Sequence, residues 1–446
     1  MVSCSDSFRE MKQGIGFAHA IAEADRCLLC YDAPCSKACP AETDPATFIR
    51  KLRLRNITGA IRTVKSNNIL GGACGVLCPT PELCEKECSA TGISRPIEIG
   101  KIQRFLVEHA WKTGFKVFEK PAPRKEKVAV VGSGPAGLSC AAELAKEGFQ
   151  VTVFEERPEI GGVIRYGVPA YRFDKAFLKN ELQDLHDLGV RFKTNSKIEG
   201  IEAAKKLLAD GFQAVFLSPG LWSAARLKPR AGKVQGLYTS VEYLQVLREE
   251  RFAELAGQVE GKTVAVIGGG SVAMDCVESS IKLGARDVYL VYRRSYAQMP
   301  AEEDERQEAL RLGVHFLLLN QPVDYLSAGG RIKGLKLVRT RLGEPDASGR
   351  RRPVEIQGTE WELPADVVVE AIGNKADESI DWSRGADSSA GLKVSPQLLI
   401  VADPKTGATT VKGIYAGGDI VRGPALVVEA VQDGKVAARS IIEALS

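Results

Sequence analysis

Apolar residues run consecutively in short stretches along the second two thirds of the chain. "KVAVVG" (127–132), "AVFLSPG" (214–220) and "ADVVVEAIG" (365–373) are apolar at successive positions rather than at alternate ones. A strand covered on one face alternates, whereas a strand covered on both faces does not, so these runs predict buried parallel strands. None approaches the roughly 20 residues that a membrane-spanning helix needs. The N-terminal stretch 18–65 reads as helical, with no such strands. The pattern gives an α/β fold preceded by a helical domain.

Two strand-flanked units add chemistry. "KVAVVGSGPAGLSCAAELAKEGFQVTVFEE" (127–156) reads strand, Gly132-x-Gly134-x-x-Gly137, amphipathic helix, strand, acid. The first glycine permits a tight turn, the second lets the backbone approach a pyrophosphate, and the third lets helix and strand pack closely. The helix N-terminus directs partial positive charge at the phosphates. Glu155 stands 23 residues after Gly132, where a carboxylate holds ribose hydroxyls. "KTVAVIGGGSVAMDCVESSIKLGARDVYLVYRRS" (262–295) repeats the unit with Gly268-x-Gly270-x-x-Ala273 and Ser271 at the helix start. Its acid position is Tyr292, followed by Arg293 and Arg294. Arginines there pair with a 2′-phosphate, which favours NADPH and leaves NADH as the alternative. Two solvated surface arginines are the ordinary alternative.

Of eleven cysteines, eight fall in two clusters: Cys27, Cys30, Cys35 and Cys39, then Cys74, Cys78, Cys84 and Cys88. Both clusters contain Cys-Pro, as ferredoxin-type runs do, and in such runs a fourth cysteine often serves the other cluster. Structural zinc favours paired CxxC motifs or Cys/His mixtures. Here only Cys27–Cys30 is a CxxC, and His19 and His109 lie outside both runs. A thioredoxin-type CxxC needs a βαβ setting. Iron–sulfur ligation is the expectation, and eight thiols suit two cubanes by count. Cys140 and Cys276 each lie eight residues after the first glycine of their unit and read as buried small hydrophobes. Cys4 is assigned nothing.

Composition changes little. The chain has 446 residues, 44% of them hydrophobic, enough for two to four ordinary domains. A net charge of +4 gives no reason to expect nucleic acid or a membrane as partner. The N-terminus has no apolar signal-peptide core, so a cytoplasmic protein with reduced thiols is expected.

"RPEIGGVIRYGVP" (157–169) after the first unit and "GIYAGGDIV" (413–421) near the C-terminus resemble the two-dinucleotide flavoprotein disulfide-reductase superfamily. The resemblance implies FAD in the first unit, with Gly162 and Arg172 beside it and Gly418 and Asp419 completing the flavin site ahead of a helix near 424–440. It implies crossings between the two nucleotide domains near Gly373. The CxxxxC dithiol of those reductases is absent after the first unit, so a disulfide substrate is not expected. "ADRCLLCYDAPCSKACPAETDPATFI" (24–49), "GAIRTVKSNNILGGACGVLCPTPELCEKEC" (59–88) and "PIEIGKIQRF" (96–105) resemble the N-terminal half of dihydropyrimidine dehydrogenase and the separate bacterial subunit that oxidises NAD(P)H for that enzyme. The glutamate synthase small subunit is a more distant relative.

That resemblance implies one cluster on Cys27, Cys30, Cys35 and Gln103 and a second on Cys39, Cys78, Cys84 and Cys88, with Cys74 spare despite the count. The organisation expected is a helical two-cluster domain over 1–123, an FAD domain from 124–222 and 374–446, and an NAD(P)H domain inserted at 223–373. FAD is expected on Gly132, Gly134, Pro135, Ala136, Glu155, Gly162, Arg172, Gly418 and Asp419. NADPH is expected on Gly268, Gly270, Ser271, Arg293, Arg294 and Gly373. No side chain need act as nucleophile. Because Ser446 directly follows the FAD-completing helix, the resemblance implies an FMN-containing catalytic partner in a hetero-oligomer, which reduces uracil or thymine. Other readings are a module serving glutamate synthase or ferredoxin, and a redox sensor without enzymatic turnover. "RKLRLRN" (50–56) reads as a solvated helix face or a surface for an acidic partner. "GEPDASGRRRP" (343–353) reads as a hairpin loop.

Overall fold

The computed structural model describes residues 13–228, 234–346, 349–383 and 391–446; Cys4 lies outside them. The chain forms two compact units. Of the described residues, one comprises 13–165, Arg172–Leu221, 376–383 and 391–446; the other comprises Tyr166–Tyr171 and those within Trp222–Lys375.

The first unit begins with helices Phe17–Asp25, Pro45–Arg53, Ile57–Asn67, Gly71–Leu77 and Ile99–Thr113. Asp44 starts the second of these, accepting from Thr47 N at 3.1 Å with Pro45 at the first helical position. Both devices satisfy or avoid free N–H groups at a helix start. Phe48, Ile49, Leu52, Ile61, Val64 and Leu106 form the core between these helices.

A five-stranded parallel sheet follows, ordered Ile414–Ala416, Ala214–Leu217, Lys127–Val131, Gln150–Phe154, Arg191–Lys193. Its central strands are buried on both faces, which is why their apolar residues run consecutively. Helix Pro135–Lys146 packs against the final helix, Val427–Leu445. A Cβ at Gly434 would meet the Ala136 carbonyl oxygen at 2.2 Å, so only glycine permits this crossing. Ser139 Oγ donates to Val431 O at 2.9 Å across the same contact.

The helical part and this sheet are joined by polar contacts. Lys65 forms a buried ion pair with Asp184 at 2.6 Å. Glu181 accepts from Gly72 N at 2.5 Å and Ala73 N at 2.9 Å, the first turn of helix Gly71–Leu77. Lys435 Nζ donates to Ala41 O at 2.6 Å. These joints lie on the side of the helical part that carries Cys39, Cys74 and Cys78.

The second unit holds another five-stranded parallel sheet, ordered Leu237–Thr239, Val367–Glu370, Thr263–Ile267, Asp287–Tyr292, His315–Leu318. Beside it lies an antiparallel sheet of Asn320–Ala328, Arg331–Pro345, Arg351–Glu355 and Trp361–Pro364. The tract 343–353 is the end of its hairpin; Ala347 and Ser348 lie outside the described residues.

Candidate functional site

Eight thiols of the helical part gather into two sets. Cys27, Cys30, Cys35 and Cys88 line one cavity with Ala33, Pro34, Ala46 and Ile49. Cys39, Cys74, Cys78 and Cys84 form the other. Cys74 and Cys78 stand one helical turn apart, close enough to perturb each other's titration, and Cys39 and Cys84 act electrostatically on Cys78. This sorting differs from the expected one in two ways. Cys88 stands with the first set, and Gln103 reaches the start of the helix that carries Cys74. The turn that follows Cys84 carries Cys88 back to the 27–35 loop, a crossing that sequence spacing does not show. Gln103 is buried on helix Ile99–Thr113 and donates from Nε2 to Gly71 O at 2.5 Å. Among the described residues its Oε1 carries no hydrogen bond.

The thiols fit iron–sulfur centres. All are free cysteines. Main-chain N–H groups point at the sulfurs: Leu29 toward Cys27, Ser36 toward Cys35, Ala41 and Thr43 toward Cys39, Glu85 toward Cys84, and Ile97 N to Cys88 Sγ at 3.5 Å. Such donors are among the devices that set cluster potentials. Burial pushes the Cys35 thiol up to about 11, and it raises Cys27, Cys39 and Cys84 as well. Without a metal these are neutral thiols, so a metal must displace their protons on binding.

The first glycine cleft has the shape a pyrophosphate needs. Gly132 has φ 93°, and a Cβ there would meet Ser218 O at 2.3 Å. A Cβ at Gly137 would meet Gly132 O at 2.0 Å, whereas nothing lies within 4 Å of one at Gly134. Gly134 therefore opens onto the cleft, with Pro135 and Ala136 beginning the helix behind it. Glu155 is oriented by Ser133 N at 3.0 Å, Ser133 Oγ at 2.5 Å and Arg157 N at 2.8 Å. A carboxylate has about four acceptor positions, so one remains for a ribose hydroxyl. Ser133 Oγ also accepts from Gly161 N at 3.0 Å, which sets Gly162 against Gly134. Arg172 opens the segment Arg172–Leu221 of the same unit and is half-buried.

Gly418 has φ 75° and donates to Asp433 Oδ2 at 2.9 Å; Arg422 holds the same carboxylate at 2.5 and 2.6 Å. Asp433 had no signal in the sequence beyond being an acid on the last helix. Burial raises the neighbouring Asp419 carboxyl to about 6 from 3.8, with the Ala425 N–H opposing. An acid raised in the folded state favours folding while protonated. That advantage is intact below the unfolded value and disappears as pH rises through about 6. Asp419→Asn is therefore expected to stabilise the FAD-free chain by up to about 3 kcal/mol at pH 8, the difference closing toward pH 4. Urea unfolding at both pH values checks this.

In the second cleft, Gly268 has φ 146° and a Cβ there would meet Ala371 O at 2.3 Å. Gly270 precedes helix Ser271–Lys282, whose first residue is Ser271. The Tyr292 ring lies against Gly269. Gly373 has φ 113° with open space around it. Arg293 is exposed and has no ion pair among the described residues. Arg294 departs from expectation. It is 5% exposed, pairs with Asp346 at 2.7 Å and donates to Arg351 O at 2.8 Å. Just past the end of strand Asp287–Tyr292, Arg293 faces solvent while Arg294 turns inward and anchors the hairpin. Asp346, an acid within the basic tract 343–353, was the available signal. Cys140 and Cys276 are fully buried.

Two glycine-cradled nucleotide clefts and amide-surrounded thiols define an electron-transferring flavoprotein oxidoreductase using FAD, NADPH and 4Fe-4S chemistry. A family model described as dihydropyrimidine dehydrogenase domain II, 4Fe-4S cluster, matches residues 4–115. One described as pyridine nucleotide-disulphide oxidoreductase matches residues 126–434, and the chain belongs to that family. It is 38% identical to the NADP(+)-dependent formate dehydrogenase subunit beta of Moorella thermoacetica over 92% of this chain, spanning 59% of that one. It is 34% identical to the NAD-dependent dihydropyrimidine dehydrogenase subunit PreT of Salmonella typhimurium, over 97% of this chain and 96% of that one. Identity to the glutamate synthase [NADPH] small chain of Escherichia coli is 33%, over 98% and 93%. The fold is shared with FprA of Mycobacterium tuberculosis, solved in complex with NADPH: TM-score 0.58 at 21% identity, over 72% of this chain and 85% of that one. Among the described residues no helix is long and apolar enough to cross a membrane.

Proposed function

We propose that this chain is the electron-input subunit of a dihydropyrimidine dehydrogenase, delivering electrons from NADPH to an FMN-containing partner that reduces uracil or thymine. The carrying observation is that the set of Cys39, Cys74, Cys78 and Cys84 adjoins the contacts with the nucleotide-binding fold, whereas every residue lining the Cys27–Cys88 cavity belongs to the helical part. Glu181 and Lys435 reach from the nucleotide-binding fold to the backbone around Cys39 and Cys74. Cys27, Cys30, Cys35 and Cys88 lie beyond, under a loop with exposed side chains. An inner and an outer site in series suit passage toward a partner.

Bound FAD would supply the chemistry of accepting a hydride from NADPH and passing single electrons to iron–sulfur centres. The chain supplies position and tuning. Gly132, Gly134, Pro135, Ala136, Gly162, Arg172, Gly418 and Asp419 hold the flavin nucleotide, and Glu155 its ribose. Gly268, Gly270, Ser271 and Gly373 hold NADPH, with Arg293 on the 2′-phosphate. Cys27, Cys30, Cys35 and Cys88 hold one cluster. Cys39, Cys78, Cys84 and Gln103 hold the other, the amide contributing its unengaged Oε1. The near full-length likeness to a dihydropyrimidine dehydrogenase subunit supports the substrate class.

The test is anaerobic NADPH consumption with uracil or thymine, with and without an FMN-containing pyrimidine-reducing subunit. Turnover is expected only with both present, saturating with the partner. Uracil-dependent turnover by this chain alone refutes the reading. Turnover with glutamine and 2-oxoglutarate in a complex, and none with pyrimidine, replaces it by the glutamate synthase reading that the 33% identity favours.

A further inference from the structure

We propose that the loop over the outer thiol set, with the turn beside it, is a docking surface for an acidic electron-acceptor protein. This rests on the reading above that electrons leave by the outer set. Leu28 and Leu29 line the Cys27–Cys88 cavity and are nevertheless 46% and 41% exposed. Tyr31, next to Cys30, is fully exposed at 104%, and Leu54 is 73% exposed. Single exposed apolar side chains are ordinary, but a group of them around one cavity is not. Tyr31 covers no thiol from water, so shielding does not account for it.

The turn carrying Leu54 is tied to the loop. Arg53 Nη1 donates to Cys27 O at 2.7 Å, and Arg55 pairs with Asp25 at 3.1 Å. Backbone conformation points the same way. Leu29 has φ 55°, a left-handed geometry in which a branched side chain is strained and glycine would fit without cost. Such local strain persists only where the surrounding fold holds it, and it clusters at functional positions.

Charge selects the occupant. The segment 50–56 carries Arg50, Lys51, Arg53 and Arg55 and no acid. Arg50 is exposed with no ion pair among the described residues. A second copy of this chain seated symmetrically here would set these cations against their own images. An acidic partner meets them with complementary charge, which raises the encounter rate. Electron-transfer encounters are small, often under about 1,200 Å², and four exposed apolar side chains beside the cationic segment 50–56 suit that size.

The experiment uses the cofactor-loaded full chain with two protein acceptors of opposite charge: an acidic blue-copper protein and basic cytochrome c. Each NADPH oxidised to NADP+ and a proton reduces two copper centres or two haem irons by one electron each. Menadione, a neutral quinone, reports electron entry without docking. The parent is expected to prefer the acidic acceptor, with kcat/KM falling steeply as salt rises. Arg50→Glu is expected to lower kcat/KM for the acidic protein about tenfold, raise it for cytochrome c and leave menadione turnover unchanged; Arg50→Lys restores the parental pattern. Tyr31→Ser is expected to weaken the acidic acceptor several-fold with its salt dependence retained. Equal effects of Arg50→Glu on both proteins, or a salt-independent parent, overturn the proposal. Loss of menadione turnover in the parent itself overturns the underlying electron-input reading instead.

Discussion

The Cys88→Ser chain is expected to hold about four irons where the parent holds about eight, the counts of one and two cubanes. Its FAD should still be bleached by NADPH, because Cys88 lines a cavity built entirely from the helical part and none of the nucleotide-cleft residues belongs to it. Reduction of a protein acceptor should fall to background. Cys74→Ser separates the two candidates for the inner set's fourth ligand. With Gln103 as ligand, iron stays near the parental value, and Gln103→Ala brings it toward half. Cys74 touches Cys78 directly and receives the Asn68 amide at 3.3 Å, so its serine variant changes a close neighbour of the site in either case. Iron falling toward four after Cys74→Ser makes Cys74 the ligand and removes Gln103 from the role. Iron per chain and the reduced-state magnetic resonance spectrum decide the matter together.

Arg293→Ala is expected to raise KM for NADPH by about 10- to 150-fold, the worth of one charge-assisted contact to a phosphate, roughly 1.5–3 kcal/mol. KM for NADH, which has no 2′-phosphate, should change little. Arg294→Ala is expected to behave differently. Its guanidinium already holds Asp346 and the Arg351 carbonyl, so its loss removes both of these contacts and loosens the hairpin. Stability should fall by about 1–3 kcal/mol, with the NADPH-to-NADH preference largely kept. Initial-rate kinetics with both nucleotides and a thermal melt of each variant distinguish the two roles. A loss of NADPH preference in Arg294→Ala equal to that in Arg293→Ala returns both arginines to the phosphate.

Much of this was legible in the residues because it is set locally. The glycines of 132–137 and 268–270 must sit where backbone approaches backbone, and the close approaches at Gly132, Gly137 and Gly268 have that cause. Consecutive apolar residues at 128–131 and 367–369 require cover on both faces, and the sheets provide it. Cysteine spacing with Cys-Pro indicated iron–sulfur ligation without a coordinate. Which thiols stand together was a different matter. Cys88 joins Cys27 across some sixty residues, and Gln103 comes to Gly71, at the start of the helix carrying Cys74, through the packing of two helices, so both placements depend on long-range contacts that spacing does not encode. Likewise "YRR" specifies two cations but not their directions. Only the hairpin, by bringing Asp346 to Arg294, makes one arginine structural and leaves the other to the solvent and the nucleotide. The glycine turns could be read from the residues alone, because each is a short-range match of backbone shape and residue size. The tertiary structure decided the grouping of ligands and the division of charge, because a buried charge or thiol takes its partner from whichever distant segment the fold packs against it.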